Sequence, residues 1–237
     1  MAARFSVRIA LFLAPMSKAN RAEASGALPN PSFNEFKARL EREKVRVFDP
    51  AMFMPSPLLT FAGMNSTQSG CGCLPPDSDG DVGPNHYINS VNSSIKIFDK
   101  LGNPLNGTNG TTYNSFFSAL GTGNPCGNNK NDGDGVVFYD HLADRWVVSD
   151  FAFPAFPGTS FYQCIGVSKT SNPVSGGWWL YAIQVDPANP SYLGDYPKFG
   201  LWPDAYYLSM NEFSNNTTFN GVRVYALDRN SMWRRLV

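Results

Sequence analysis

GPNHYINSVN, residues 83–92, and WPDAYYLSMN, residues 202–211, are two versions of one pattern. Pro84 matches Pro203, Asn85 matches Asp204, Tyr87 matches Tyr206, Ser90 matches Ser209 and Asn92 matches Asn211. ADRWVVSDF, residues 143–151, falls on the same template through Asp144, Trp146, Val147 and Ser149. Anchored at Asn85, Asp144 and Asp204, the copies lie 59 and 60 residues apart, which points to tandem units of one design.

The flanks repeat too. Upstream of each copy stands a Gly-Asp pair: Gly80-Asp81, Gly133-Asp134 and Gly194-Asp195. Downstream comes a second β-rich run: SIKIFDK (94–100), CIGVSKT (164–170) and GVRVYALDR (221–229). In the second and third copies an extra strand precedes the turn, VVFYD before HLAD and KFGLW before PDA. Each unit therefore reads as three or four antiparallel strands joined by polar turns. The expected fold is all-β: blade-like antiparallel repeats of about 60 residues, a partial β-propeller, preceded by a short N-terminal helix. Three copies do not close a ring of typically about 4–8 blades, so further copies are expected in a longer protein. A three-blade oligomer or a β-sandwich of the same hairpins is the competing architecture.

DSDGDVGPNHYINSVNSSIKIFDKLGNPL, NDGDGVVFYDHLADRWVVSDF, FYQCIGVSKT and DYPKFGLWPDAYYLSMN together resemble a group of secreted bacterial propeller-type proteins, mostly uncharacterised. Members often carry immunoglobulin-like or other adhesion-type modules further along. The resemblance covers residues 74–232. It implies an extracellular location and a propeller-like fold, and it lends no catalytic residues.

Composition sets bounds of its own. With 43% apolar and 14% aromatic residues in 237, the chain can bury a substantial core. Its 19 basic and 19 acidic side chains cancel. Residues 1–50 carry nine Lys/Arg against five Asp/Glu, and the rest is mildly acidic, which argues against nucleic acid as a partner. Residues 1–30 read as a signal or leader segment, with Arg4 and Arg8, an apolar Ile9–Met16 and a small-residue site at Ala22–Ala24. Residues 31–76 read as a short helix, capped by Ser32 and Glu35, followed by a Pro/Gly/Ser-rich linker; residues 77–237 hold the repeats. No segment approaches the roughly 20 apolar residues of a membrane-spanning helix.

Candidate sites divide by chemistry. Asp77, Asp79 and Asp81 place carboxylates at alternate positions, and Asn129, Asn131, Asp132 and Asp134 form a second oxygen-rich loop at the equivalent place. Either could hold Ca²⁺, which takes several oxygens at once; the competing reading is Asx-turn chemistry at the head of each unit. The first loop is not an EF-hand, because Val82 stands at the required glycine. Of the four cysteines, Cys126 and Cys164 flank one unit and are expected to form a disulfide. Cys71 and Cys73 are expected to be unpaired or bridged thiols rather than a zinc site.

No nucleophile elbow, zinc-protease motif or phosphate-binding loop is present. His86 sits at a variable repeat position and His141 in a turn. Carboxylate pairs for glycosidic cleavage could come from Asp140, Asp144, Asp150, Asp195, Asp204 and Glu212. Trp178 and Trp179 follow Gly176-Gly177 outside the repeat and suggest a loop-borne ligand platform. The expected function is a secreted or cell-surface binding module for carbohydrate, another extracellular polymer or a surface protein. The alternative is a glycan-active hydrolase or lyase whose catalytic residues lie partly in further repeats.

Overall fold

The computed structural model describes residues 55–233. The described residues from Leu59 onward belong to the larger of two units into which the chain divides. The expected leader of residues 1–30 and the expected helix near residues 31–47 lie outside the described residues.

The larger unit is mostly β. A first sheet has the order β1 (Asp79–Val82), β2 (His86–Val91), β3 (Ser94–Asp99), β4 (Thr111–Thr112). A second runs β5 (Asn131–Asp140), β6 (Arg145–Ala152), β7 (Tyr162–Ser168), β8 (Trp178–Gln184). The third holds β9 (Leu193–Leu201), β10 (Ala205–Ser214) and β11 (Thr218–Asp228), with β10 in the middle. All neighbours are antiparallel and consecutive in the chain, so each sheet is a meander. Among the described residues helix is confined to α1 (Ser66–Ser69), α2 (Tyr113–Phe117), α3 (Arg229–Met232) and two short 3-10 turns.

The three related motifs fall at one place in the three sheets. Each supplies the second strand, β2, β6 or β10, and each downstream run supplies the next, β3, β7 or β11. One expectation is corrected: the first copy also has a strand ahead of its turn, because Asp79–Val82 pairs with Tyr87–Ser90. Asp and Gly are poor strand formers, so nothing local announces β1, and its pairing to β2 overrides propensity.

Two cores explain why the sheets meet face to face. On the second sheet, Val137, Trp146, Val148, Ala152 and Cys164 share one face and pack with Ile88, Ile95, Ile97, Tyr113 and Phe117. Their neighbours in the pleat, Val147, Ile165 and Val167, point the other way, onto Tyr206, Leu208, Met210, Tyr225 and Leu227. A strand whose successive residues are all apolar is buried on both sides, and Trp146-Val147-Val148 is fully buried throughout. Each such side chain contributes about 1.5–3 kcal/mol by leaving water. The second sheet is thus the filling, with the first and third on either side.

The outer face of the first sheet is covered by the chain itself. Phe61 packs its ring 5.0 Å from Phe98 and 6.1 Å from Tyr87, and the Met64 amide donates to Asn89 Oδ1 at 3.1 Å. Gly102 makes room for it: φ is +85°, and a β-carbon there would lie 2.7 Å from the Phe61 ring.

Candidate functional site

The acidic head of the first sheet is tied into the fold. Because β1 is extended, Asp79 and Asp81 project to the same side, two residues apart. There they meet the edge of β5. Asp79 Oδ2 accepts the Val137 amide at 2.9 Å, and Asp81 Oδ2 accepts the Tyr139 amide at 2.7 Å. The alternate spacing that resembles a cation loop is the spacing of free amides along the next sheet's edge strand. Asp134 repeats the device, its Oδ2 accepting the Tyr196 amide of β9 at 3.1 Å.

The other oxygen donors are placed differently. Asp77 Oδ2 accepts from Asn92 Nδ2 at 2.9 Å. Asn129, with φ 53°, sits in the turn before β5. The Asn131 amide donates to Asn114 Oδ1, and its side-chain Nδ2 to Cys164 Sγ. Burial raises the Asp132 carboxyl above its ordinary range. Asp134 is raised as well, by burial first and then by the Asp195 carboxylate and, more weakly, Asp77. Among the described residues no three His, Cys, Asp or Glu side chains converge as a metal site requires.

Behind this row lies a buried polar cluster that the sequence motifs do not mark. Asp150 is fully buried on β6, its Oδ1 accepting the Gly133 amide at 3.1 Å, while Oδ2 and the nearby Asn131 Oδ1 lack partners. Ser90 and Tyr113 exchange a 2.6 Å hydrogen bond in the same interior. Burial drives the Asp150 carboxyl well above its ordinary value, and the Asp132 and Asp134 charges add to this. The folded state therefore holds a proton that the unfolded chain releases near pH 4. The resulting cost is absent below that pH and grows as pH rises toward the folded value. Asp150→Asn is expected to be more stable than the parent at pH 7 by about 1–3 kcal/mol, since a neutral amide is buried without the proton uptake that the carboxyl requires. The advantage should shrink toward pH 4; thermal melts across pH 4–8 that show no gain at neutral pH would sink this reading.

Four of the five remaining carboxylates proposed for glycosidic work, Asp140, Asp144, Asp204 and Glu212, are also engaged. Asp140 forms a buried ion pair with Arg229 and accepts from Tyr206 Oη at 2.7 Å. Asp144, at φ 57° in the β5–β6 turn, accepts from Tyr139, and Asp204 accepts from Tyr207. Glu212 and Asp186 share Arg223. Burial lowers the His86 pKa, with Asp99 opposing, so His86 is neutral near pH 7.

Trp178 and Trp179 lie in a strand rather than a loop. They open β8, the outer edge of the second sheet, and as neighbours in a pleat they face opposite sides. Trp178 packs edge-on to Phe116, with centroids 4.9 Å apart, and forms one wall of a cleft of about 180 Å³ with Ile95, Ile97 and Val174. Trp179 carries Lys169 Nζ over its ring at 4.1 Å. All seven residues of β8 are half-exposed and uncharged.

Both cysteine pairs are disulfides. Cys126 and Cys164 join the 3-10 turn at Pro125–Gly127 to β7, and Cys71 is bonded to Cys73. No helix among the described residues is long and apolar enough to cross a membrane. The chain matches no family model and no curated protein.

Proposed function

We propose that the chain is a non-catalytic binding module of the extracellular space, built from consecutive propeller-type blades, that takes a carbohydrate or other polymer, or a surface protein. One observation carries this: Asp140, Asp144, Asp204 and Glu212, four of the six acids a hydrolase could use, are held by tyrosines and arginines, whereas an aromatic edge strand stays half-exposed. Asp79, Asp81 and Asp134 each accept a backbone amide, and Asp140 is paired with Arg229. β8 offers Trp178 on one face and Trp179 on the other, next to unpaired strand edge. Aromatic rings on an edge strand suit stacking against sugar rings or pairing with an extended chain. The two disulfides suit an oxidising compartment, in keeping with secretion. The calcium reading has in its favour only the charges of Asp195 and, more weakly, Asp77 near Asp134.

A glycan array read alongside product release tests the assignment. Binding without turnover, weakened tenfold or more in Trp179→Ala with the melting temperature kept within about 2 °C, is the expected outcome. Release of shortened glycans would replace the module with an enzyme.

A further inference from the structure

The two disulfides sit in opposite surroundings. Cys126 and Cys164 are fully buried, whereas Cys71 is exposed and Cys73 half-exposed. Gly72, between the two exposed cysteines, has φ +62°, and a β-carbon built on it would meet nothing within 4 Å. The approach to the bond from that side is open. Residues 55–76 carry no charged side chain, so the segment sets no carboxylate against an incoming anion.

The loop is held in place without this bond. On one side of it, Ser94 Oγ donates to the Ser69 carbonyl at 2.7 Å. On the other, Asn92 Nδ2 donates to the Pro75 carbonyl at 2.9 Å, and the Asn92 amide to the Pro76 carbonyl at 3.0 Å. Both ends are thus tied to the β2–β3 hairpin by contacts that involve no sulfur. One contact does reach sulfur: the Cys73 amide donates to Cys71 Sγ at 3.1 Å. A donor aimed at that sulfur stabilises negative charge on it, so Cys71 is the better leaving thiolate of the pair.

We propose that the Cys71–Cys73 bond is a thiol-exchange site, whose substrate is a thiol of a second molecule. The donor's thiolate attacks Cys73 Sγ, the S–S bond breaks, and the electron pair leaves on Cys71 Sγ, which takes up a proton. A second donor thiolate attacks the donor sulfur of the mixed disulfide and releases the Cys73 thiolate, which is protonated in turn. Two thiols become one disulfide, and the chain gains two electrons. Exposed disulfides are the ones that exchange, while structural ones resist reduction. The chain divides these tasks: Cys126–Cys164 staples the fold and Cys71–Cys73 reacts. The exchange is stoichiometric, and it stands apart from the binding reading without resting on it.

Reduced glutathione at about 5 mM and about pH 8, followed by alkylation and peptide mapping of the folded full chain, tests this. Cys71 and Cys73 are expected to be labelled at least about 100-fold faster than Cys126 and Cys164, with the melting temperature kept within about 2 °C. A leucine-flanked cysteine peptide at equal concentration separates the two sources of thiol. Faster opening by the peptide assigns the donor to a polypeptide that touches Leu74, 89% exposed beside the bond; equal rates assign a small thiol. Two single variants check the leaving sulfur. At about pH 7, iodoacetamide should label Cys71 in Cys73→Ser faster than Cys73 in Cys71→Ser. A bond that stays closed, or opens only together with Cys126–Cys164, would overturn the proposal. Equal or reversed rates in the single variants would overturn the direction of attack.

Discussion

Arg229→Met is expected to destabilise the larger unit by about 3–5 kcal/mol, the range for removing one partner of a buried ion pair. Arg229 opens α3, beyond the last strand, and reaches back 89 residues to Asp140 at the end of β5. Its Nε donates to Oδ2 at 2.6 Å and its Nη2 to Oδ1 at 2.9 Å, a two-pronged contact that a lysine could not copy. Asp140 also accepts the Leu142 and Ala143 amides and the Tyr206 hydroxyl, so the pair knots the β5–β6 turn to the third sheet. Without the guanidinium, a fully buried carboxylate loses its counter-charge. For a unit of this size the melting temperature should fall by roughly 6–20 °C. Asp140→Leu/Arg229→Met should recover much of that loss, because no lone charge stays buried. A drop below about 1 kcal/mol in the single variant would show the pair to be solvated.

The same pair sets the acid limit. Burial by itself would raise the Asp140 carboxyl, but the Arg229 guanidinium and the Tyr206 hydroxyl hold it below its ordinary value near 3.8. A lowered folded pKa means stabilisation that is complete above the unfolded value and is lost as pH falls through the folded one. Arg229→Met should therefore lie closest to the parent below about pH 3 and furthest from it at neutral pH.

Cys126→Ser/Cys164→Ser is expected to cost about 4 kcal/mol, the loop-closure entropy for a separation of 38 residues. The bridge ties the segment between the first two sheets to β7 at a fully buried site. Cys71→Ser/Cys73→Ser closes a loop only two residues apart and should change stability far less. Denaturant titrations of the two double variants make the comparison; equal losses would contradict the assignment of the long bridge as the main staple.

The meander strands and their order were legible because period-two alternation and recurring motifs are local signals. The Cys126–Cys164 pairing could be anticipated from its position flanking one unit. Other features depend on partners far away in the chain. Asp79 and Asp81 look like cation ligands because alternate side chains of a strand have the spacing of a calcium loop; only the free amides of β5, 58 residues on, show their use. The Phe61 cover and the Arg229–Asp140 pair leave no local mark. Asp150 carries no signal either, since a buried acid in a strand reads as an outward-facing polar residue. Trp178 and Trp179 were misplaced to a loop by the glycines before them, whereas Gly177, at φ +76°, ends the turn and β8 begins.

Amide hydrogen exchange at Val137 and Tyr139 tests the central claim, that the acidic head belongs to the stacking of the sheets. Both amides lie on the edge of β5 that no strand pairs with, yet they should exchange slowly with or without millimolar Ca²⁺, and fast in Asp79→Ser/Asp81→Ser. Fast exchange in the parent chain, or protection that appears only when calcium is added, would contradict it.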